Sequence, residues 1–337
     1  MLKKIICVVL ATAIAILVIP VSAFAQDAQA KKAVLITGAS TGIGRLTAEQ
    51  LAADGYFVYA GARKASDIEA LNKIDNVMAV RLDVTVQEEI DAAVKLVESE
   101  GRGLWGIVNN AGINIIDPMI EAQEADLQFL FDVNVFGVYR ITKAFAPMVI
   151  ESQGRIVNIS SISGVLSGYP AYGMYAMSKH AVEAYTDQLA AEMAGLGVKV
   201  SGVEPGNFGS AIGTSRCKRM IANSDSRKYE YFADVMQEYL DGCKEYIAEG
   251  GVSSSPPPKL VANAIQHALF DDKPKEHYLV VADPFEAMIT IGKSMEELLH
   301  LNHDHPYSYT REQLIAMMDE EWAILKGEKT RDWGPDE

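Results

Sequence analysis

The chain has 337 residues, of which 49% are hydrophobic and 22% are charged. This length suits one large α/β domain or two smaller ones, each able to bury a sizeable core. The formal net charge of −15 argues against nucleic acid or an anionic membrane as the main partner, because an acidic surface repels polyanions. We therefore expect a protein that binds a small molecule and no nucleic acid.

The first 25 residues have the pattern of a secretory signal peptide. Two lysines precede an apolar stretch over residues 5–21, and alanines flank Phe24 just before the polar Gln26. This order predicts cleavage after Ala25 and export, which would leave a periplasmic or secreted protein with no stable membrane span. The alternative is an uncleaved membrane anchor, because the stretch is only marginally long enough to cross a bilayer.

Cys217 and Cys243 are the cysteines that remain after such cleavage. In an oxidising compartment they could form a disulfide, but they could equally be unpaired and buried. Their spacing is not that of metal ligands, and His303 and His305 have no partner cluster elsewhere in the sequence. We therefore predict no metal site.

A compact apolar run over residues 33–37 leads into a glycine-rich segment and then into a helix predicted over residues 45–54. Strand, glycine loop and helix in this order are typical of Rossmann dinucleotide sites. Glycines let the backbone approach a pyrophosphate, and the helix N-terminus supplies free N–H groups and positive potential. The loop residues expected to contact the cofactor are Gly38, Ser40, Thr41, Gly42, Ile43 and Gly44.

The end of the second predicted strand, residues 56–60, indicates which dinucleotide binds. An acidic residue there would accept hydrogen bonds from a ribose 2′-hydroxyl and would repel a 2′-phosphate. The chain instead has Arg63 and Lys64 at this corner, with no acid before Asp67. Two cations favour a 2′-phosphate, so we predict NADP, with NAD as the second choice. The alternative is that both cations are solvated residues at the start of a helix.

Apolar runs and helical patterns continue to alternate along the chain. We predict strands over residues 77–82, 104–108, 155–159, 199–203 and 277–281, and helices over residues 87–99, 126–148 and 175–194. This alternation predicts an α/β fold, a Rossmann-type doubly wound parallel sheet of six or seven strands. Ligands of such sheets bind at the carboxyl ends of the strands, where this chain places its polar motifs.

Tyr175 and Lys179 lie four residues apart on the predicted helix 175–194. Residues at this spacing share one helix face, about one turn apart. A phenol with its ordinary pKa of about 10 is a poor acid–base catalyst at neutral pH, and a neighbouring cation stabilises the phenolate. The pair is therefore a candidate catalytic site, although the same spacing also occurs by chance on solvated helices.

These motifs together resemble the short-chain dehydrogenase/reductase family over roughly residues 31–285. The residues that carry the resemblance are Thr37-Gly38-x-x-x-Gly42-x-Gly44, Asp83, Asn109-Asn110-Ala111-Gly112, Asn134, Ser161, Tyr175-x-x-x-Lys179 and Pro205-Gly206. Within the family, residues 204–208 and 278–281 look like the branch that acts on steroids, retinoids and related lipophilic alcohols or ketones.

The resemblance implies a role for each residue of the catalytic motif. Tyr175 would be the general acid and base, and Lys179 would lower the pKa of its phenol and bind the nicotinamide ribose. Ser161, the second serine of the Asn158–Gly164 pattern, would hydrogen-bond the substrate oxygen, and Asn134 would complete a proton relay to solvent. The neighbouring Tyr169 and Tyr172 lack a lysine four residues on, so they are interpreted as pocket lining or packing.

The resemblance also implies the remaining cofactor contacts. Asp83 would contact the adenine with Val84 beside it, Asn110 and Gly112 would flank the ribose, and Pro205-Gly206 would support the nicotinamide amide. Ser210 stands where the family often has threonine and keeps the hydroxyl. The cofactor residues expected outside the glycine loop and the two cations are Asp83, Val84, Asn110, Ala111, Gly112, Tyr175, Lys179, Pro205, Gly206, Phe208 and Ser210.

Two segments go beyond the usual length of the family. Residues 208–251 form an insertion in which aromatic residues alternate with charge, and it is either a mobile helical lid or a packed helical subdomain. Residues 286–337 form a helical extension that covers either the sheet edge or a subunit partner. We also expect the chain to form a homo-oligomer.

The sequence therefore predicts an NADP-preferring oxidoreductase that interconverts a lipophilic alcohol and its ketone or aldehyde by hydride transfer. One rival is a nucleotide-binding scaffold without turnover, which the presence of all four catalytic residues disfavours. Another is an epimerase or dehydratase of the same fold, in which the cofactor stays bound through the cycle. The Asn109–Gly112 sequence and the short glycine motif favour a simple dehydrogenase.

Overall fold

The computed structural model describes residues 32–330, so the predicted signal peptide lies outside the described residues. Seven parallel strands form one sheet in the order β3-β2-β1-β4-β5-β6-β7, which confirms the predicted Rossmann-type fold. The strands are β1 (Ala33–Ile36), β2 (Phe57–Ala62), β3 (Val77–Arg81), β4 (Gly106–Asn109), β5 (Arg155–Ile159), β6 (Lys199–Pro205) and β7 (His277–Val280).

Helices cover both faces of the sheet, because strands such as β1 and β5 are buried along their whole length and need apolar cover on each side. The helices are α1 (Gly42–Ala53), α2 (Ala65–Leu71), α3 (Gln87–Ser99), α4 (Glu124–Phe131), α5 (Gly137–Glu151), α6 (Gly173–Ala194), α7 (Ala211–Asn223), α8 (Ala233–Ala248), α9 (Lys259–Phe270), α10 (Pro284–Asn302) and α11 (Arg311–Leu325). Buried side chains of α1 and α9 form the core on one face, and those of α3 and α5 form it on the other.

Several element boundaries differ from the sequence prediction. The helix predicted over residues 126–148 is two helices, α4 and α5, joined by a π-helical turn over Asp132–Phe136. The catalytic helix α6 begins at Gly173, two residues before Tyr175. A π-helical turn accommodates one extra residue, and helical periodicity in a sequence does not reveal it.

A buried polar network joins the two central strands to the helices behind them. Asn109 Nδ2 at the end of β4 donates to Asn158 Oδ1 of β5 at 2.8 Å and to Thr142 Oγ1 of α5 at 2.9 Å. Asn158 Nδ2 in turn donates to Thr186 Oγ1 of α6 at 2.9 Å. Buried amides cost free energy unless they are hydrogen-bonded, so these bonds hold β4, β5, α5 and α6 in one relative position.

The insertion contains helices α7 and α8, and a disulfide between Cys217 and Cys243 joins them. The structure therefore selects the bonded form of the two alternatives open for these cysteines. Two further contacts join the insertion to the segment after β4. Arg227 Nη1 forms an ion pair with Asp117 Oδ2 at 2.7 Å, and Met236 of α8 packs with Ile116 in a small apolar cluster. These contacts form a packed helical subdomain beside the carboxyl ends of the strands.

The C-terminal extension contains α10 and α11. Asp283 caps α10 by accepting from the N–H groups of Phe285 and Glu286, and Thr310 forms a capping box at the start of α11. In α10 the buried side chains are Glu286 and Thr290, so this helix contacts the body of the protein through its first turns. Within residues 32–330, no helix is both long and apolar enough to cross a membrane.

Candidate active site

A single large cleft of about 2540 Å³ opens at the carboxyl ends of the strands. It is several times the usual volume of a one-ligand pocket, so a dinucleotide and a second molecule can share it. The predicted site residues that line it are Gly38, Ser40, Thr41, Gly42, Ile43, Arg63, Lys64, Asp83, Val84, Asn110, Ala111, Gly112, Ser161, Tyr175, Lys179, Pro205, Gly206, Phe208 and Ser210. Gly44 and Asn134 support the cleft from behind its wall.

The glycine loop has the geometry that a pyrophosphate requires. Gly38 and Gly42 have φ of +65° and +59°, which L side chains rarely adopt. A Cβ on Gly44 would lie 2.7 Å from the Gly38 carbonyl oxygen, so only glycine fits there. Helix α1 begins at Gly42 without a side-chain cap and without an acid in its first turn. Its free N–H groups therefore face the cleft, where they fit a phosphate.

Asn110, which directly follows β4, holds the glycine loop through hydrogen bonds. Its Nδ2 donates to the carbonyl oxygens of Thr37 at 2.9 Å and Gly38 at 3.1 Å, while Thr37 Oγ1 accepts from the backbone N–H groups of Asn110 and Ala111 at 3.0 Å each. The predicted ribose contact of Asn110 remains a prediction, since its amide nitrogen is already committed to the loop. These hydrogen bonds join the end of β1 to the end of β4, at the point in the sheet where the strand order changes direction.

The two predicted phosphate-binding cations lie at the end of β2. Arg63 Nη1 is 3.4 Å from Asp83 Oδ2, and its side chain is 58% exposed. Burial pushes the pKa of Asp83 up, but hydrogen bonds from Thr85 and the charge of Arg63 outweigh burial and leave the pKa below its ordinary value. An exposed ion pair of this length contributes little free energy, so the Arg63 guanidinium remains available for an anion.

Tyr175 is buried, and the Ser161 side chain lies near its phenol. Burial raises the pKa of Tyr175 to about 12, although the Ser161 hydroxyl and the positive charge of Arg216 act in the lowering direction. The direction is opposite to the one predicted from the Tyr-x-x-x-Lys spacing, because loss of hydration disfavours the phenolate more than nearby groups favour it. Tyr175 therefore holds its proton at neutral pH.

Lys179 is buried one turn after Tyr175, and its Nζ donates to the Ile159 carbonyl oxygen at 2.9 Å. Nζ lies 5.8 Å from the centre of the Tyr175 ring. Burial lowers the pKa of Lys179 to about 8, and the charge of Glu183 acts in the opposite direction. The ammonium is thus held by a hydrogen bond to the last residue of β5.

Asn134 lies on the π-helical turn behind Gly112. Its Oδ1 accepts from Ile113 N at 2.8 Å, and its Nδ2 donates to Ile113 O at 2.9 Å and to Ser178 Oγ at 3.1 Å. The extra residue of the turn brings this amide against the loop after β4. These bonds hold the loop, and the proton-relay role of Asn134 stays a prediction.

The structure distinguishes between the two adjacent serines. Ser160 Oγ donates to the Lys179 carbonyl oxygen at 3.4 Å, whereas Ser161 Oγ accepts from Ser163 N at 3.1 Å and lies within reach of the Tyr175 phenol. Tyr169 and Tyr172 line the cleft, in agreement with their interpretation as pocket lining. Ser161 is therefore the serine beside the candidate acid.

Sequence analysis missed Glu286, a buried carboxylate from the C-terminal extension. Its Oε1 accepts from Asn207 N at 2.9 Å and Asn207 Nδ2 at 2.6 Å, and its Oε2 accepts from Ala282 N at 3.1 Å. A Cβ on Gly206 would lie 2.8 Å from Glu286 Cδ, so the glycine admits the carboxylate. No local signal reveals this contact, because 79 residues separate Glu286 from Asn207.

The sequence also gives no sign of a charged cluster around His277, the first residue of β7. His277 Nδ1 lies 2.9 Å from Glu204 Oε1 and 3.5 Å from Glu183 Oε2, and its Nε2 lies 2.8 Å from Asp187 Oδ1. Hydrogen bonds with Glu183 and Glu204 raise the pKa of His277 far above its ordinary range. Glu183, Glu204 and His277 lie close enough to one another to hold a metal ion, and a protonated imidazole can balance the charge of the same carboxylates.

The fold and the site together define a class of protein. A doubly wound parallel sheet positions three features around one cleft. They are the glycine loop with the uncapped N-terminus of α1, the cations Arg63 and Lys64 at the end of β2, and the buried residues Ser161, Tyr175 and Lys179. The first two features fit a dinucleotide, and the third offers a proton donor beside a hydrogen-bonding hydroxyl. This combination is that of a dinucleotide-dependent oxidoreductase.

Comparison with known proteins agrees with this class. The family described as short chain dehydrogenase matches residues 32–220. Mitochondrial D-beta-hydroxybutyrate dehydrogenase of Bos taurus is 36% identical over 272 residues, which are 75% of this chain and 77% of the relative. Human 17-beta-hydroxysteroid dehydrogenase type 6 is 37% identical over 73% of this chain and 80% of the relative. Human retinol dehydrogenase 16 is 34% identical over the same shares.

Solved structures that are similar to this chain agree with the same class of protein. A short-chain dehydrogenase from Streptomyces avermitilis superposes with a TM-score of 0.62 and 27% identity, over 88% of this chain and 98% of that one. ElxO with NADP bound superposes with a TM-score of 0.58 and 28% identity, over 74% of this chain and 96% of that one. The chain belongs to the short-chain dehydrogenase/reductase family, and this membership supports an oxidoreductase that acts on alcohol and carbonyl groups.

The contact of Glu286 with the loop after β6 predicts that this carboxylate positions the nicotinamide end of the cleft. Glu286→Gln places an amide NH₂ against backbone N–H donors and removes charge-assisted bonds. We expect the Kd for NADPH to rise by about tenfold, with a smaller change in kcat. Fluorescence titration with NADPH and steady-state kinetics measure the two effects.

The matched control is Glu297→Gln, which removes an exposed carboxylate of the same helix α10 that pairs only weakly with Lys293 at 3.8 Å. This variant should bind NADPH as the unaltered protein does. If folded Glu286→Gln also binds NADPH normally, Glu286 is a structural anchor of α10 and does not position the cofactor loop.

Proposed function

We propose that the protein is an NADP-preferring oxidoreductase that interconverts a lipophilic primary or secondary alcohol and its aldehyde or ketone. The observation that carries the proposal is the buried Tyr175 phenol, which lies near Ser161 and one helical turn before Lys179 at the wall of the cleft. The nicotinamide, when bound, supplies or accepts the hydride. The protein supplies position, a proton and a fixed electrostatic environment.

The residues of the chain divide the work in the reducing direction. The Ser161 hydroxyl donates to the carbonyl oxygen of the substrate and holds it beside Tyr175. The Tyr175 phenol keeps its proton at neutral pH, because burial raises its pKa to about 12, and it donates this proton as negative charge develops on the substrate oxygen. The Lys179 ammonium, held at the Ile159 carbonyl, binds the nicotinamide ribose and adds positive charge to the site.

Apolar and aromatic side chains around the catalytic group support a lipophilic substrate. Met119, Leu166, Tyr172 and Tyr239 line the same cleft as Tyr175. Two of the relatives are a hydroxysteroid and a retinol dehydrogenase by name, whereas a third acts on hydroxybutyrate. The apolar lining favours a substrate with a hydrocarbon body, and the relatives supply the two kinds of alcohol to test first.

The experiment that tests this function compares the protein with its Tyr175→Phe variant on a panel of alcohols, ketones and aldehydes. We expect NADPH oxidation with at least one carbonyl substrate, and a loss of about 100-fold to 10,000-fold in kcat in the variant, because it lacks the donated proton. NADPH absorbance measures turnover, and NADPH fluorescence checks that cofactor binding is retained.

Three results would contradict the proposal in different ways. NADPH binding without turnover on any substrate would identify a scaffold. Product formation without net change in NADPH would identify an epimerase or dehydratase. Substantial turnover by Tyr175→Phe would show that another group donates the proton.

The cations at the end of β2 predict the cofactor preference. Removing Arg63 and Lys64 together, as Arg63→Gln/Lys64→Gln, should lower kcat/KM for NADPH by about 100-fold and leave that for NADH within about threefold, because NADH has no 2′-phosphate to bind. The matched control is Lys73→Gln, an exposed lysine of the same surface that pairs with Glu69. Equal losses with both cofactors would mean that the two cations do not recognise the 2′-phosphate.

We also propose that the protein is exported and is periplasmic or secreted. The Cys217–Cys243 disulfide supports this location, since such bonds persist mainly in oxidising compartments. Intact-mass measurement on protein from separated cell fractions should give a chain that begins at Gln26 and carries no free thiol. A full-length chain in the membrane fraction would identify the anchored alternative, and a reduced chain in the cytoplasm would contradict export.

A further inference from the structure

Arg216 is a cation in the cleft that the catalytic scheme does not use. It lies on α7, in the middle of a helix that carries Arg216, Lys218 and Arg219 but no acidic residue. Every one of these three side chains lines the cleft. In a chain with a net charge of −15, such a local concentration of positive charge is a feature of the site and not of the surface in general.

Arg216 is partly buried, and its guanidinium has no anionic partner among residues 32–330. Arg219 lies 3.7 Å from Asp126, and Lys218 is exposed. Among residues 32–330, no carboxylate lies within 4 Å of the Arg216 nitrogen atoms, and its side-chain hydrogen bond is a single one, from Nη1 to the Tyr172 hydroxyl at 2.6 Å. Its Nε is buried and has no hydrogen-bond partner in this part of the chain.

A buried guanidinium N–H without an acceptor is costly, and natural structures rarely leave one unpaired. The planar fork of arginine matches a carboxylate, which can accept two N–H bonds at once. Glu238 lines the cleft, and Asp117 and Asp126 line a smaller pocket that Arg216 also borders. None of these three carboxylates forms an ion pair with Arg216, since Asp117 and Asp126 pair with Arg227 and Arg219 instead. The missing acceptor is therefore to be sought in a ligand.

The position of Arg216 assigns it to the substrate end of the cleft. Helix α7 starts beside the glycine loop, where Ser210 Cβ would lie 3.0 Å from a Cβ on Gly42. At about 1.5 Å per residue, Arg216 lies roughly 9 Å farther along the helix. There it bonds to Tyr172, which directly precedes helix α6 and is three residues before Tyr175. Its charge is close enough to act on the Tyr175 phenol.

We propose that Arg216 binds a carboxylate of the substrate, so that the physiological substrate is an oxo acid or hydroxy acid in which an apolar segment separates the carboxylate from the reacting carbon. This inference rests on the proposed alcohol and ketone oxidoreductase function. Tyr172 holds the guanidinium through its hydroxyl, and the carboxylate supplies the acceptor that the buried Nε lacks. The apolar lining contacts the segment between the two polar ends.

The test uses oxo acids of graded length, each beside its primary amide, with NADPH as the cofactor. The amide keeps the shape of the carboxylate but removes its charge. We expect the protein to prefer the acid over the amide by about 100-fold in kcat/KM at the best length. Arg216→Met should remove this preference, because its loss of kcat/KM with the acid should far exceed its loss with neutral ketones.

Arg216→Lys keeps the positive charge but loses the planar guanidinium that can donate two N–H bonds to one carboxylate. We therefore expect this variant to retain part of the preference for the acid over the amide, about tenfold in kcat/KM. The matched control is Lys218→Met, which removes one positive charge from the same helix and the same cleft and should keep the full preference. If Arg216→Met fails to fold, inhibition of the unaltered protein by short carboxylates, compared with their amides, tests the same contact.

Each outcome separates this inference from the function on which it rests. Turnover of neutral ketones with no preference for acids overturns the carboxylate contact and leaves the oxidoreductase function intact. If Arg216→Met loses the same factor in kcat/KM with acids and with neutral ketones, Arg216 acts on Tyr175 or on the fold. If the variant has a higher Kd for NADPH, Arg216 binds the cofactor. Both results overturn the inference. No turnover on any substrate removes the function and the inference together.

Discussion

The buried contact between Asn109 and Asn158 is the interaction on which the rest of the site depends. It joins the carboxyl ends of β4 and β5, and Thr142 and Thr186 extend it to α5 and α6. These amide and hydroxyl groups would be costly to bury alone, so their hydrogen bonds favour this arrangement of sheet and helices, with Asn109 Oδ1 left without a hydrogen-bond partner within residues 32–330. Because α6 carries Tyr175, this arrangement places the phenol at the ends of the strands.

Burial gives the catalytic group its chemical character. The same loss of hydration that raises the pKa of Tyr175 lowers the pKa of Lys179, since it disfavours an anion and a cation alike. The protein compensates through fixed partners: the Ile159 carbonyl for the ammonium, and the Ser161 hydroxyl for the phenol. A site of this kind costs stability and is stable only because a large buried sheet surrounds it.

Segments far from the glycine loop complete the cleft. The C-terminal extension contributes Glu286, which holds the loop after β6, and the insertion contributes Arg216, which faces the substrate end. The Cys217–Cys243 bond joins α7 to α8 directly next to Arg216. The parts of the chain that go beyond the usual length of the family therefore contact the loop after β6 and form part of the cleft wall, beside the sheet and the glycine loop.

The sequence by itself determined the order of strands and helices, the glycine loop and the Tyr175–Lys179 pair, because periodicity, positive-φ glycines and i,i+4 spacing are local properties. Tertiary structure decided the π-helical turn at Asn134 and the pairing of Cys217 with Cys243. It also decided the direction in which the pKa of Tyr175 moves. These features depend on burial and on contacts between residues distant in the chain, such as Glu286 with Asn207, and no local pattern records which distant groups will meet.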